Sequence, residues 1–348
     1  MKLADWHSFY LVGIKGVAMT ALAQMLRDMG KHVEGCDVEE EFVTQKILTN
    51  LSISIHIGFE HSIPTNTDCV IYTAAHGGIS NKIVKSAIDQ EMPTFSHAEA
   101  LGFLFNDKEK RIAVCGVGGK STVSAMISWV LAKELPTISY SVGVGEIIGL
   151  GRNAQWSENS TVFVAEADEY ATNPEAVKNG EAIVPRFSYL NPTLLVCTHI
   201  RFDHPDVYTN FEHTLQTFHD FFHRIPDPQN IIVSEADAEL LPPEISKNAQ
   251  TVGISTSASL RFQIDFKKTK ADNTYATILF KNQEYLLKLA VPGSFNIENA
   301  AFAILACVSM GISVEKAISH LESFNSTKRR FEFHGEKLGT LYYDDYAH

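Results

Sequence analysis

The chain has 348 residues, is 45% hydrophobic and carries a formal net charge of −12. Its length exceeds what one hydrophobic core usually serves, so two domains are expected. The acidic balance argues against a nucleic-acid surface, which needs basic patches. The N-terminus lacks a signal-peptide apolar block and no apolar run reaches bilayer length, so we expect a cytoplasmic protein without membrane insertion. Five scattered cysteines without Cys-x-x-Cys spacing predict buried free thiols.

The first third of the chain is predicted to form a small α/β domain, because short apolar runs alternate with segments of helical periodicity. The predicted elements, in chain order, are strand 9–13, helix 17–29, strand 33–37, strand 69–72, helix 81–90 and helix 97–105. The charged run that follows, 106–111, is typical of a linker between domains.

A glycine-containing loop, Gly13-Ile14-Lys15-Gly16-Val17, joins the first predicted strand to the first helix. It departs from the Gly-x-Gly-x-x-Gly pattern of dinucleotide-binding folds, so NAD binding is weakly supported. Backbone N–H groups at the helix start can still face a diphosphate, and Lys15 adds a positive charge there.

A second glycine-rich loop follows the apolar run 112–115 and reads Gly116-Val117-Gly118-Gly119-Lys120-Ser121-Thr122, ahead of a helical pattern over 123–133. This build is typical of a nucleotide-phosphate cradle. Glycines let backbone N–H groups face phosphate, Lys120 reaches the β- and γ-phosphates, and the Ser121 hydroxyl can join a Mg²⁺ shell. Val114 stands where the usual motif has its first glycine, so a generic glycine turn before a helix remains an alternative.

Two acidic clusters follow predicted strands of the same domain. Strand 161–165 runs into Glu166-Ala167-Asp168-Glu169, and strand 193–198 leads to Asp203-His204-Pro205-Asp206. Ligands of open α/β sheets bind at the carboxyl ends of strands, and carboxylates suit Mg²⁺.

Alternating segments at 260–266, 275–280 and 284–291 then predict an antiparallel meander at one edge, closed by helices 299–310 and 314–324.

Four segments together make the chain resemble the Mur ligase family over essentially its whole length. They are 163–169 (Phe-Val-Ala-Glu-Ala-Asp-Glu), 291–300 (Val-Pro-Gly-Ser-Phe-Asn-Ile-Glu-Asn-Ala), 328–332 (Lys-Arg-Arg-Phe-Glu) and 343–348 (Tyr-Asp-Asp-Tyr-Ala-His). The resemblance implies an α/β protein with a Rossmann-like N-terminal domain over 1–107 that binds a UDP-sugar. It also implies a P-loop-type α/β central ATPase domain over 108–335 with an antiparallel edge meander. Residues 336–348 would be a linker and the start of an amino-acid-binding domain that this chain lacks.

The activity implied by the resemblance is that of an ATP- and Mg²⁺-dependent amide ligase of peptidoglycan precursor synthesis. The carboxylate of UDP-N-acetylmuramate would attack the γ-phosphate of ATP, and the amine of L-alanine would displace phosphate from the acyl phosphate. Without the third domain, the chain is expected to bind its ligands but to turn over poorly. Three alternatives stay open: a ligase that recycles murein tripeptide, a non-catalytic relative that binds a nucleotide sugar or ATP, and an unrelated P-loop NTPase or kinase.

The resemblance also implies roles for individual residues. Those carried over for catalysis are Lys120, Glu166, His204 and Arg330. Those carried over for ATP are Gly116, Gly118, Gly119, Lys120, Ser121, Thr122, Asn296, Asn299, Arg330 and Asp345. The sugar nucleotide would be bound by Gly13, Lys15, Gly16, Val17, Asp37, Thr73 and Asn81. Magnesium would be held by Ser121, Glu166 and His204.

The chain departs from the family pattern at several of these sites. Val117 and Gly118 replace a threonine and a histidine of the phosphate loop, His199 replaces an asparagine, and Phe295 replaces a histidine. We expect phosphate binding by the backbone to survive these changes and the packing around adenine and metal to differ.

Overall fold

The computed structural model describes residues 3–270, 273–328 and 332–344. The first sheet has five parallel strands in the order β3-β2-β1-β4-β5. Its elements, in chain order, are β1 (Ser8–Val12), α1 (Val17–Asp28), β2 (His32–Asp37), α2 (Gln45–Asn50), β3 (Ser54–Ile57), β4 (Cys69–Tyr72), α3 (Lys82–Asp89), β5 (Thr94–Ser96) and α4 (His97–Asn106).

The second sheet has ten strands in the order β15-β14-β13-β12-β11-β10-β6-β9-β7-β8. Its elements are β6 (Lys110–Cys115), α5 (Lys120–Glu134), β7 (Ser139–Ser141), β8 (Ala154–Gln155), β9 (Val162–Glu166), α6 (Pro174–Lys178), β10 (Leu194–Cys197), α7 (Phe211–Phe222), β11 (Ile231–Ser234), α8 (Pro243–Ser246), β12 (Gln250–Gly253), β13 (Leu260–Ile264), β14 (Thr274–Phe280), β15 (Gln283–Leu289), α9 (Phe295–Ser309) and α10 (Val314–Leu321). A hairpin of β16 (Glu332–Lys337) and β17 (Thr340–Asp344) follows. Short 3-10 helices occupy Leu3–Asp5, Gly78–Ser80, Arg186–Tyr189, Pro228–Asn230 and Glu235–Leu240.

The predicted α/β class is confirmed, and so is the antiparallel meander, since β13, β14 and β15 pair antiparallel at one edge of the second sheet. The run 106–111 was expected to be a linker, but α4 extends to Asn106 and β6 begins at Lys110. The charged side chains of Lys110 and Arg111 stand at the solvent-facing start of that strand, and its remaining four residues are buried.

Alternate residues of the central strands feed two hydrophobic cores, as the two-residue period of a strand requires. Ile112 and Val164 face a core that contains α5 and α9. Ala113 and Phe163 face the opposite core, which also contains Phe9 of β1 and parts of α4 and α7. The first and second sheets therefore share one continuous apolar core.

All five cysteines are buried and free, as predicted. Within the described ranges, no helix combines the length and the apolar character needed to cross a bilayer.

Candidate active site

The loop between β6 and α5 requires glycine at two positions. Gly116 and Gly119 have positive φ angles of 113° and 79°. A Cβ at Gly116 would lie 2.5 Å from the Thr198 Oγ1, and one at Gly119 would lie 2.7 Å from the Asn299 Oδ1. Gly119 is the N-cap of α5 and offers no side chain to cap its first amides. The amides at this helix start have no side-chain cap, so they suit an anion such as phosphate.

The two residues that follow β10 hold the loop in place. The Thr198 hydroxyl donates to the Gly118 carbonyl at 2.6 Å, and the Val117 N–H donates to the His199 carbonyl at 2.7 Å. Since β10, β6 and β9 are adjacent, their carboxyl ends bring the phosphate loop beside both acidic clusters, as the sequence predicted.

Lys120 forms a buried ion pair with Glu169. Its Nζ lies 2.9 and 2.7 Å from the two carboxylate oxygens, and the Glu169 side chain is only 1% exposed. Burial disfavours the charge on Lys120, but the carboxylates of Glu169, Asp168 and Glu166 outweigh burial and raise the pKa of this lysine. Lys120 therefore stays cationic at the mouth of the phosphate loop.

Glu166, the last residue of β9, lies between the phosphate loop and a neighbouring segment. One carboxylate oxygen accepts from the Ser121 hydroxyl at 3.0 Å, and the other accepts from the Gly143 N–H at 2.7 Å. Burial raises the pKa of Glu166, although Lys120 and both hydrogen bonds oppose this shift. Ser121 and Glu166, predicted as metal ligands, are thus in direct contact.

His204, the third predicted metal ligand, pairs with Glu169 instead, with 3.4 Å between its Nε2 and the Oε1. The contact with Glu169 raises the pKa of His204. Ligand atoms of Asp168, Glu169 and His204 lie within 4.8 Å of one another. The sequence analysis identified the acidic cluster 166–169 at the end of β9 as a candidate Mg²⁺ site. Nothing in the sequence indicated that Glu169 contacts both Lys120 and His204.

Asp168 is held by a residue that the sequence did not single out. The Arg186 guanidinium donates to an Asp168 oxygen at 2.7 Å. Burial opposes ionisation of Asp168, but Arg186 and Lys120 outweigh it and hold its pKa below the usual range. Carboxylate and hydroxyl oxygens are the ligands that Mg²⁺ prefers, so the donor set around Glu166 and Asp168 fits that ion.

The predicted adenine-side residues stand at the start of α9. The Asn299 amide donates to the Asn296 Oδ1 at 3.1 Å, and Asn296 donates to the Pro292 carbonyl at 2.7 Å. Asn299 also borders Gly119 of the phosphate loop. Thr122 lies in the first turn of α5.

His199 lies close to two acids. Its Nδ1 is 3.5 Å from the Asp237 Oδ2, and its Nε2 is 3.7 Å from the Glu298 Oε2. This residue, which departs from the family pattern, therefore faces carboxylates on two different elements beside the phosphate loop.

The first-domain loop is held by close packing and by buried hydrogen bonds. Gly13 has a φ of 81°, and a Cβ there would lie 2.3 Å from the Thr73 Cγ2. Asp37 is fully buried and accepts from the Lys15 N–H at 2.7 Å. The Lys15 ammonium, predicted to add positive charge for a ligand, donates instead to the carbonyls of Val38 and Glu40 at 2.7 and 2.9 Å and is buried. In this structure Lys15 and Asp37 fix the loop.

Asn81 also has a structural task, because its Oδ1 accepts from the Ile83 N–H at 2.9 Å and caps α3. Gly16 and Val17 line a cleft of about 540 Å³ between the first-domain loop and the second sheet. The other walls of the cleft are formed by residues 40–43, residues 143–145 and Lys328. Arg330 and Asp345 lie outside the described residues.

Comparison with known proteins identifies the family. Residues 8–109 match the model of the Mur ligase family, catalytic domain, and residues 114–307 match that of the Mur ligase middle domain. The chain is 32% identical over 346 residues to the UDP-N-acetylmuramate–L-alanine ligase of Desulfitobacterium hafniense, covering 97% of this chain and 72% of that protein. It is 33% identical over 351 residues to the ligase of the same name from Carboxydothermus hydrogenoformans, covering 100% of this chain and 71% of that protein.

Solved structures share the fold. The UDP-N-acetylmuramate-alanine ligase MurC from Thermotoga maritima superposes with a TM-score of 0.79 at 24% identity, over 99% of this chain and 75% of that chain. The UDP-N-acetylmuramate:L-alanyl-gamma-D-glutamyl-meso-diaminopimelate ligase from Neisseria meningitides gives 0.75 at 22% identity, over 93% of this chain and 99% of that chain. This chain therefore belongs to the Mur ligase family, the ATP-dependent amide ligases of peptidoglycan precursor synthesis.

Proposed function

We propose that this protein joins L-alanine to UDP-N-acetylmuramate at the expense of ATP. The observation that carries the proposal is the cleft between the first-domain loop and the segment 143–145, since Gly143 lines it and also donates to Glu166 beside the phosphate loop. A sugar nucleotide held by the first-domain loop would reach the γ-phosphate of ATP through such a cleft. The L-alanine specificity rests on relatives of that name at 32% and 33% identity.

The chemistry needs positioning and charge neutralisation more than a protein nucleophile. We assign the β- and γ-phosphates to the amides of the phosphate loop and to Lys120. The substrate carboxylate would attack the γ-phosphate and release ADP, giving an acyl phosphate. The amine of L-alanine would then attack the carbonyl carbon of the acyl phosphate and release inorganic phosphate. A cationic Lys120 counters the charge that builds on the transferred phosphoryl group.

We further propose that Ser121 and Glu166 hold Mg²⁺ and that Asp168, Glu169 and His204 form an adjoining set of ligands. When bound, the ion supplies neutralisation of phosphate charge. To bind Mg²⁺, Glu169 would need to release a hydrogen bond from Lys120, because it is already bonded to that ammonium. Asn296 and Asn299 are assigned to the adenine side and Gly13, Gly16, Val17 and Thr73 to the sugar nucleotide.

Isothermal titration calorimetry with UDP-N-acetylmuramate tests the substrate assignment without depending on turnover. We expect micromolar binding, and at least tenfold weaker binding of UDP-N-acetylglucosamine, which lacks the lactyl carboxylate. Equal affinity for the two sugars, or binding of neither, would contradict the proposal. Lys120→Met should abolish binding of a non-hydrolysable ATP analogue with Mg²⁺ and leave binding of the sugar nucleotide unchanged.

A murein-tripeptide ligase is the second candidate, because a ligase of that specificity shares this fold. Phosphate release in the presence of ATP and UDP-N-acetylmuramate distinguishes the two, and it is followed at high protein concentration because slow turnover is expected. Stimulation by L-alanine supports the first assignment, whereas stimulation only by L-alanyl-γ-D-glutamyl-meso-diaminopimelate supports the second.

A further inference from the structure

Asn153 is a fully buried polar residue between the two sheets. It directly precedes β8 and closes the turn that begins after β7. Its amide nitrogen lies 2.7 Å from the Val144 carbonyl and 3.3 Å from the carbonyls of both Val142 and Val17. One side chain therefore binds the segment 142–144 of the second sheet and the first residue of α1 in the first domain.

The oxygen of the same amide is also used. The Gln24 side chain, which is 1% exposed, donates to the Asn153 Oδ1 from the middle of α1. Because buried amides need partners on both ends, this pair fixes how α1 sits against the second sheet. Val17 lies next to Gly16, and both line the cleft proposed for the sugar nucleotide.

Gly143 lies between the two carbonyls of its own segment that Asn153 holds. Its N–H donates to the Glu166 Oε2 at 2.7 Å, and Glu166 in turn accepts from Ser121 at the start of α5. A Cβ at Gly143 would lie 2.8 Å from the same carboxylate oxygen. The orientation of Glu166 thus depends on where this segment places the Gly143 amide.

We propose that Asn153 is a positioning residue that couples the sugar-nucleotide loop to the nucleotide-phosphate site. The connection runs from the Val17 carbonyl through Asn153 to the segment 142–144, and from the Gly143 N–H to Glu166. When the first-domain loop shifts on binding its ligand, the Gly143 N–H moves with it. This movement changes the orientation of Glu166 relative to Ser121 and the phosphate loop. The inference rests on the proposed function for the identity of the two ligands.

Coupling between two binding sites is reciprocal and is measured as the factor by which one ligand changes the affinity for the other. We would titrate the protein with UDP-N-acetylmuramate in the absence and presence of saturating ADP and Mg²⁺. ADP is used because it lacks the γ-phosphate, so direct contact between the two ligands is reduced. We expect the native protein to show a change of about fivefold or more, in the usual range for coupled sites.

Asn153→Ala should reduce this factor to below about twofold and leave each ligand's affinity, measured alone, within about threefold of native. Arg152→Ala is the matched control. Arg152 is the neighbouring residue and also crosses the interface, where it pairs with Asp28 at 2.7 Å. Among the described residues, its hydrogen bonds do not reach the segment 142–144. This control should keep the native coupling factor.

A second variant keeps the test decisive if Asn153→Ala does not fold. Gln24→Leu removes the donor to the Asn153 Oδ1, so the Asn153 amide loses the contact that orients it, and Gln24 is not among the residues that line the cleft. It should reduce the coupling factor to below about twofold and still bind UDP-N-acetylmuramate alone as the native protein does. Native coupling in either folded variant, or a native protein that binds both ligands independently, would overturn the inference. Failure of the native protein to bind the sugar nucleotide would instead count against the proposed function.

Discussion

At the scale of single residues, the ion pair between Lys120 and Glu169 dominates the phosphate loop. Both side chains are removed from most solvent, with 16% and 1% exposed. Removing one member of a buried pair leaves an uncompensated charge, which costs far more than the pair contributes.

We therefore predict that Lys120→Met destabilises the protein by about 3 kcal/mol, because Glu169 remains buried without its cation. Urea unfolding at neutral pH, followed by circular dichroism, measures the change. Lys120→Met combined with Glu169→Met should recover part of the lost stability, since the buried carboxylate that bonds Lys120 directly is then removed as well. A double variant as unstable as the single one would contradict this explanation.

The buried His97 should make the stability of the protein depend on pH. Its Nε2 is buried and has no hydrogen-bond partner among the described residues, and the ring lines a cavity of about 90 Å³ together with Arg186 and Glu166. Burial, helped by the nearby Arg186 charge, lowers the pKa of His97 to about 4. The unfolded chain therefore binds more protons than the native state between about pH 6.5 and 4, so stability falls as the pH drops through that window.

Between pH 8 and pH 5 this one group should remove about 2 kcal/mol of stability. His97→Gln, which cannot titrate, should lose correspondingly less stability than the native protein over the same interval. Urea unfolding of both proteins at the two pH values gives the comparison. An equal loss in both would show that His97 is not the titrating group.

Residue types in a motif were predictable, and their tertiary partners were not. Lys120, Ser121 and Glu166 were identified because glycine loops and strand-end acids have recognisable spacing. Lys15 looked like a ligand residue, but its ammonium is satisfied by carbonyls more than 20 residues away. The Gly143 donor is a backbone N–H, which leaves no signature in sequence.

At the scale of elements, α3 depends on its cap. Asn81 accepts from the Ile83 N–H and donates to the His76 carbonyl at 3.0 Å, so it ties the helix to the preceding turn. Asn81→Ala should cost about 1 kcal/mol, the usual value of an N-cap.

Asn81→Asp is the informative companion, because an aspartate keeps the cap acceptor and loses the donor to His76. Thermal unfolding should show near-native stability for this variant. If Asn81→Asp is as unstable as Asn81→Ala, the contact with His76, and not the cap, carries the stabilisation.

Long elements were predictable because their periodicity is sustained, as in α1 and the meander. The edge strand β3 was missed, since its four residues are largely exposed and show no apolar run. The two-residue strand β8 exists only by pairing with β7, a contact that spacing does not reveal. Helix α5 begins three residues before its apolar pattern, because the glycine loop and not a hydrophobic face sets its start.

At the scale of the whole molecule, the two sheets are joined by more than a linker. Phe9 and Leu11 of the first sheet belong to the same apolar core as Ala113 and Phe163 of the second. The Gln24–Asn153 amide pair and the ion pair between Arg152 and Asp28 add polar contacts across this interface. Large apolar interfaces between domains favour unfolding as one unit.

We predict a single unfolding transition by differential scanning calorimetry, with equal calorimetric and van't Hoff enthalpies. A non-hydrolysable ATP analogue with Mg²⁺ binds only the second sheet in our proposal, yet it should raise the midpoint of the whole transition, because ligand binding stabilises every part that unfolds with its site. Tryptophan fluorescence should report the same transition, since Trp6 lies in the first domain and Trp129 in α5. Two transitions of which the analogue shifts only one would show that the shared core does not make the sheets cooperative.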